Sequence, residues 1–258
     1  MYPAGRATDL WQGVVVGFHG SHEAARAVRW AAEQATVRRC PLHLVRVVET
    51  PAPAVAAGWV PMVVGPDEGL RRRMEYELLD EVDECRCRNP GLEVRGAMHD
   101  GPPCTRLAEH ADLVGANVLV VGGSDRGILS RLVFGSTGAG LLRTTRRTVV
   151  VVRGLTPVQE AGVVTGSAPV VAAVDDPATS ARVLEFASDM ADRWDAPLTV
   201  VHAGRYREVL EHSADARLVV VAGRGPGVLR GSSSHMVLRH AGCSVAVASA
   251  AGRDPNIA

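Results

Sequence analysis

Two segments of this chain carry residue types suited to holding phosphate. In the first, the apolar run Val118-Leu119-Val120-Val121 ends in Gly122, Gly123, Ser124, Asp125, Arg126 and Gly127, and Gly135-Ser136-Thr137 follows. In the second, Leu218-Val219-Val220-Val221 ends in Ala222, Gly223, Arg224 and Gly225, and Gly231-Ser232-Ser233 follows. A strand that runs through small residues into a helix presents bare backbone N–H groups, and the positive end of the helix dipole adds to their pull on an anion. The two segments differ in spacing and composition, so they are not expected to hold the same ligand equally well.

Other chemistries are excluded or unsupported. The sequence contains no lysine, so its 28 basic residues are all arginine. That rules out a lysine-bearing phosphate loop and Schiff-base catalysis. No Gly-x-Ser-x-Gly elbow or catalytic triad is visible, and no enzymatic activity is expected. The histidines (His19, His22, His43, His99, His110, His202, His212, His235 and His240) show no metal-ligand spacing, and no metal site is expected. Cys85 and Cys87, two apart in a helical pattern, do not share a face. Five scattered cysteines fit a reducing cytoplasm. Zero net charge argues against nucleic-acid binding. No apolar stretch reaches the roughly 18 residues of a membrane span, and the N-terminus lacks the apolar core of a signal peptide.

The elements that must position these segments alternate. Strands are expected over 13–18, 42–48, 92–98, 118–121 and 148–152, and helices over 21–39, 67–88, 103–113 and 136–146. Alternation of this kind implies a parallel sheet with right-handed crossovers. With 47% hydrophobic but only 4% aromatic residues, the core is expected to be Val, Ala and Leu. Residues 50–65, rich in Pro, Ala and Gly, read as a surface loop, and 154–168 as a linker. The pattern then restarts: strand 169–174, a helix opened by Asp176-Pro177, strand 198–202, a short helix over 206–212, strand 218–221, helix 232–240 and strand 244–248. Only residues 204–217 separate the second and third of these strands, where the first half spends 49–117. The chain is thus an internal repeat, one unit complete and one pared to four strands. A single continuous sheet, or halves that do not superimpose, would end that reading.

Several stretches, in order, resemble the universal stress protein family. Val15-Val16-Gly17-Phe18-His19-Gly20-Ser21 resembles the family's opening strand and turn, and Trp30-Ala31 lies where its first helix carries that pair. Gly122 and Gly135-Ser136 keep the outer spacing of the G-x2-G-x9-G-S/T motif of ATP-binding members. Leu238 to Val245 resembles the run before the final strand. The resemblance implies an α/β fold of two tandem doubly wound parallel-sheet domains, 1–153 with strand order 3-2-1-4-5 and a truncated 169–258. It also implies a ligand crevice at the carboxyl ends of strands one and four, where strand order reverses. The residues it assigns to an adenine nucleotide such as ATP with Mg²⁺ are Gly17, His19, Val47, Gly122, Ser124, Asp125, Gly127, Gly135, Ser136 and Thr137.

Departures from the family pattern fall on those residues. His19 stands where ATP-binding members have an aspartate, and Asp125 where they have the middle glycine. A carboxylate there repels phosphate and lacks glycine's access to positive φ. In the second unit Asp175 matches the aspartate, but Ala222 replaces the first glycine and Gly225 precedes Gly231 by too short a loop. The expected protein is a cytoplasmic, non-catalytic stress-response protein. Its first unit binds an adenine nucleotide weakly and its second is a structural partner; the alternative is an interaction module with vestigial pockets. Family members dimerise through their last strands, so 148–152 is expected to meet 244–248 within the chain as an intrachain pseudo-dimer. Homodimerisation of whole chains and an unidentified protein partner complete the expectations.

Overall fold

The computed structural model describes residues 12–49, 68–123, 136–154, 168–175, 177–223 and 233–249. The first half holds β1 (Val14–Gly17), α1 (His22–Arg38), β2 (Leu42–Val48), α2 (Glu68–Arg88), β3 (Val94–Asp100), α3 (Pro103–Leu113), β4 (Val118–Gly122), α4 (Ser136–Thr144) and β5 (Thr148–Val152). The second holds β6 (Val170–Val174), α5 (Pro177–Trp194), β7 (Leu198–His202), α6 (Tyr206–Ser213), β8 (Leu218–Gly223), α7 (Ser233–His240) and β9 (Ser244–Ser249). Every element expected from the sequence is present. Strand β3 begins two residues later than expected and runs on to Asp100, because the turn after α2 includes Leu92, whose N–H donates to the Asn89 carbonyl. The 50–65 loop and most of the 154–168 linker lie outside the described residues.

The described strands form one nine-stranded sheet in the order β3-β2-β1-β4-β5-β9-β8-β6-β7. This continuity meets the criterion set above, so the repeat shows in strand order and polarity and not as two separate sheets. Pairing is parallel within each half, and among the described strands only β5 and β9 pair antiparallel, with Val149, Val150 and Val151 opposite Val247, Ala246 and Val245. The first half has the order 3-2-1-4-5. The second, β7-β6-β8-β9, is the same order with the third strand missing. The expected meeting of last strands is therefore a main-chain ladder, which merges two doubly wound halves into one sheet and leaves neither strand as an open edge.

Helices cover both faces. Under α1, α2 and α5 lies a core of Val14, Val16, Ala27, Leu42, Leu44, Val150, Ala172, Phe186 and Ala246. Under α3, α4, α6 and α7 lies a second, of Val15, Val45, Leu107, Leu119, Leu141, Val171, Val219 and Val245. Each core runs through both halves. A buried polar link crosses between the halves inside the first core: Arg38 of α1 donates to Asp189 of α5 at 2.5 Å, with side chains only 3% and 8% exposed. Gln34 Oε1 accepts from the same guanidinium at 2.6 Å, and Arg193 donates to Asp189 at 3.0 Å. At the ladder's end Arg153 donates to the carbonyls of Ala241 and Leu238.

Removing one member of a buried ion pair strands the other's charge. Asp189→Ala is expected to lower stability by about 3 kcal/mol or more in urea unfolding. Arg182→Ala, which breaks the half-exposed pair with Glu185, is expected to cost less than about 1 kcal/mol.

Candidate functional site

The expected crevice lies where the strand order reverses, between β1 and β4. Strand β1 leads into α1 on one face of the sheet and β4 toward α4 on the other, so their carboxyl ends part. At the end of β1, Gly17 is half-exposed and Phe18 is buried, its N–H donating to the Val45 carbonyl at 2.9 Å. Gly20, at φ +81°, turns the chain, and Ser21 then caps α1, its Oγ accepting from the Ala24 N–H at 3.2 Å. The His19 ring is exposed, its Nε2 3.5 Å from Ser21 Oγ.

Of the residues assigned to a ligand, Gly17, His19 and Gly122 lie at these two strand ends. Val47 is half-buried near the end of β2, paired in register with His99 of β3. Thr137 is half-buried in the first turn of α4, which begins at Ser136. Ser124, Asp125, Gly127 and Gly135 lie outside the described residues, as does the side chain of Ser136.

Gly122 has a structural cause of its own. A Cβ there would sit 2.6 Å from the Glu23 carbonyl oxygen and 3.0 Å from the Ala24 nitrogen, in the first turn of α1. Those are backbone atoms, so the helix itself would have to move. The glycine lets α1 seat against β4, whether or not a ligand sits above.

Register aligns the second crevice with the first. Val14 pairs with Val118 and Val170 with Leu218, so Asp175 takes the place of His19, and Ala222 that of Gly122. Asp175 is exposed. The Ala222 side chain is accommodated, and the Ser234 hydroxyl donates to the Ala222 carbonyl at 3.1 Å, tying the start of α7 down onto the end of β8.

Beside the first crevice Arg46 is buried, donating to Glu77 Oε2 at 2.8 Å and to the Met74 carbonyl at 3.2 Å, with its guanidinium 5.8 Å from the centre of the Phe18 ring. This hydrogen bond holds the Glu77 carboxyl below its ordinary value. A group that sequence spacing missed lies on the α3 face: His99 Nε2 is 2.9 Å from His110 Nδ1, and His110 Nε2 is 3.2 Å from His43 Nδ1. These residues come from three different elements, β3, α3 and β2. The one available signal was that His43 and Val47 stand at alternate positions on the same side of β2. Burial lowers His110 to about 4, with His43 and His99 adding to the shift, and burial also lowers His43. The three rings form a row rather than converging on a point. Among the described residues no group of three His, Cys, Asp or Glu stands so as to hold a metal ion, and no helix is long and apolar enough to cross a membrane.

Comparison with known proteins agrees with this architecture. Residues 11–153 match the model of the universal stress protein family. A universal stress protein of Mycobacterium tuberculosis is 31% identical over 208 residues, spanning 77% of this chain and 66% of its own length, so the chain covers just under two thirds of that relative. Another from the same organism is 24% identical over 95% of this chain and 98% of its own length. Among solved structures, a universal stress protein from Archaeoglobus fulgidus superposes with a TM-score of 0.71 over 93% of this chain and 99% of its own, at 12% identity.

Two outcomes follow from the geometry. Gly122→Ala is expected to lower stability by about 1–3 kcal/mol through overpacking against α1, while Ala222→Gly costs at most about 1 kcal/mol; urea unfolding reads both. His110 is neutral when buried, and the unfolded chain binds a proton nearer pH 6.5. Stability is therefore full above that value and falls as pH drops toward about 4. Melting temperatures between pH 7 and pH 4 are expected to fall more steeply for the wild type than for His110→Leu.

Proposed function

The chain belongs to the universal stress protein family, and on that premise we propose that it is a non-catalytic, cytoplasmic stress-response protein whose first unit senses an adenine nucleotide. The proposed units are 1–153 and 169–258, with 154–168 as linker. The observation that carries the reading is the parting of β1 and β4, topped by Gly17 and Gly122, which bring no side chain to the opening. Crevices at such reversal points are where open α/β sheets take ligands.

The described residues fit a nucleoside with its phosphates at a helix start. His19 offers an exposed imidazole for hydrogen bonding, Val47 a half-buried apolar contact for the base, and α4 its first-turn N–H groups around Thr137. Magnesium would arrive on the nucleotide's own phosphates. Weak binding follows from Asp125 in the connecting loop and from the lost aspartate at position 19. The second unit, with Ala222 and a shorter loop, serves as a scaffold. Nucleotide occupancy would be passed to a protein partner. The competing reading, an interaction module without a ligand, draws on Gly122, whose glycine α1 packing already explains.

Isothermal titration with ATP and Mg²⁺ separates the two. Micromolar binding that is lost in Gly135→Val is expected; no heat at high ligand concentration would leave the interaction module. Asp125→Gly is expected to tighten binding and His19→Asp to add to it, and if neither changes affinity the account of the weak site is wrong. Phosphate release is expected to match that of Ser136→Ala, and release above this control would make the protein a hydrolase.

A further inference from the structure

The second unit lacks counterparts of α2 and β3, and this exposes a surface that the first unit buries. Register equates Leu198 and Val200 of β7 with Leu42 and Leu44 of β2. The β2 pair is fully buried, whereas Leu198 is 37% and Val200 52% exposed. Strand β7 also ends the sheet, with β6 its one strand neighbour among the described residues. The Val170 N–H donates to the Pro197 carbonyl and the Ala203 N–H to the Val174 carbonyl, so odd-numbered residues of this strand turn their backbone toward β6. Leu198, Val200 and His202 therefore turn theirs outward, where the His202 carbonyl already accepts from the Arg205 N–H.

The opposite end of the sheet is defended. Strand β3 carries Arg95, paired with Glu93, and Asp100, paired with Arg71 at 2.5 Å. Charges on an edge strand discourage further pairing. Strand β7 has no Asp, Glu or Arg between Leu198 and His202.

We propose that β7 pairs antiparallel with β7 of a second copy of this chain, about a two-fold axis through Val200. The strand is self-complementary in that register. Val200 faces its own mate with N–H and C=O both outward, as a hydrogen-bonded antiparallel pair requires. Leu198 faces His202 of the second copy, and the exposed Leu198 and Val200 side chains of both copies join on one face of the sheet. The ends match in charge as well. Exposed Asp195, in the turn before β7, comes beside exposed Arg205 of the second copy, in the turn after it, whose guanidinium also reaches Glu208 of its own chain at 3.6 Å, and the two-fold repeats this contact. Moving the register by two residues to centre on Thr199 would set Arg205 beside Arg193 instead. The pairing extends the nine described strands of each chain into one continuous sheet through both copies and leaves the proposed nucleotide crevice untouched.

Sedimentation equilibrium of the full chain at tens of micromolar, without nucleotide, tests this. The expected mass is twice the chain mass of 27.2 kDa. Val200→Pro removes an outward N–H and no bond to β6, so it is expected to give a folded monomer by circular dichroism. Val200→Glu, which sets two carboxylates together on the axis, is expected to do the same. Asp195→Arg is expected to weaken association roughly tenfold, since the lost contact occurs twice, and adding Arg205→Asp to restore it. The left-handed backbone at Asp195 (φ 49°) is already occupied by an arginine at the corresponding end of α1, Arg39 (φ 53°). A wild type that stays monomeric overturns the proposal, as does a dimer that survives both Val200 variants or a double variant that fails to restore association.

Discussion

The antiparallel ladder between β5 and β9 is the constraint on which the rest of the molecule depends. Within each half every pairing is parallel, so each half alone would leave its last strand as an open edge of valine and alanine. Turning one half over against the other satisfies both edges at once. It makes the two apolar cores continuous across the join, brings α1 beside α5, and allows Arg38 to be buried against Asp189 rather than exposed to water. A charge pair so enclosed contributes stability only while both members remain, which makes the join intolerant of single changes. With the centre closed, β3 and β7 are the outer strands among the described residues.

The same scaffold has been used differently on the two sides. At the end of β4, a glycine admits the first turn of α1; at the end of β8, an alanine is tolerated and a serine hydroxyl from α7 closes over its carbonyl. His19 and Asp175 occupy matching places beside these ends. At the outer strands the contrast is larger, because Leu42 and Leu44 lie beneath α1 and α2 while Leu198 and Val200 reach solvent. A unit that loses a strand and a helix keeps its sheet order but gives up the cover for one face.

Much of this was legible in the sequence because it rests on local signals. Alternating apolar runs, the helical spacing after Ser21 and the short 204–217 connection gave the elements and the missing pair of elements. The strand order within each half and the meeting of the last strands followed from the family resemblance. Features set by tertiary contact were not legible. Gly122 reads as a ligand glycine until the Glu23 carbonyl is seen 2.6 Å from where its Cβ would lie. The row of His43, His110 and His99 joins three elements that no spacing rule connects. Arg38 and Asp189 each look like ordinary helix-surface charges until the two helices are placed side by side.

The central claim is that two halves of one design share a sheet but not a binding capacity, the first crevice being the one that takes nucleotide. Backbone amide shifts recorded while ATP and Mg²⁺ are titrated into the labelled chain test it most directly. The account predicts saturable changes at Gly17, His19, Val47, Gly122 and Thr137, with Ala173, Asp175 and Gly223 unmoved. Changes at the second group, or equal changes at both, would contradict it.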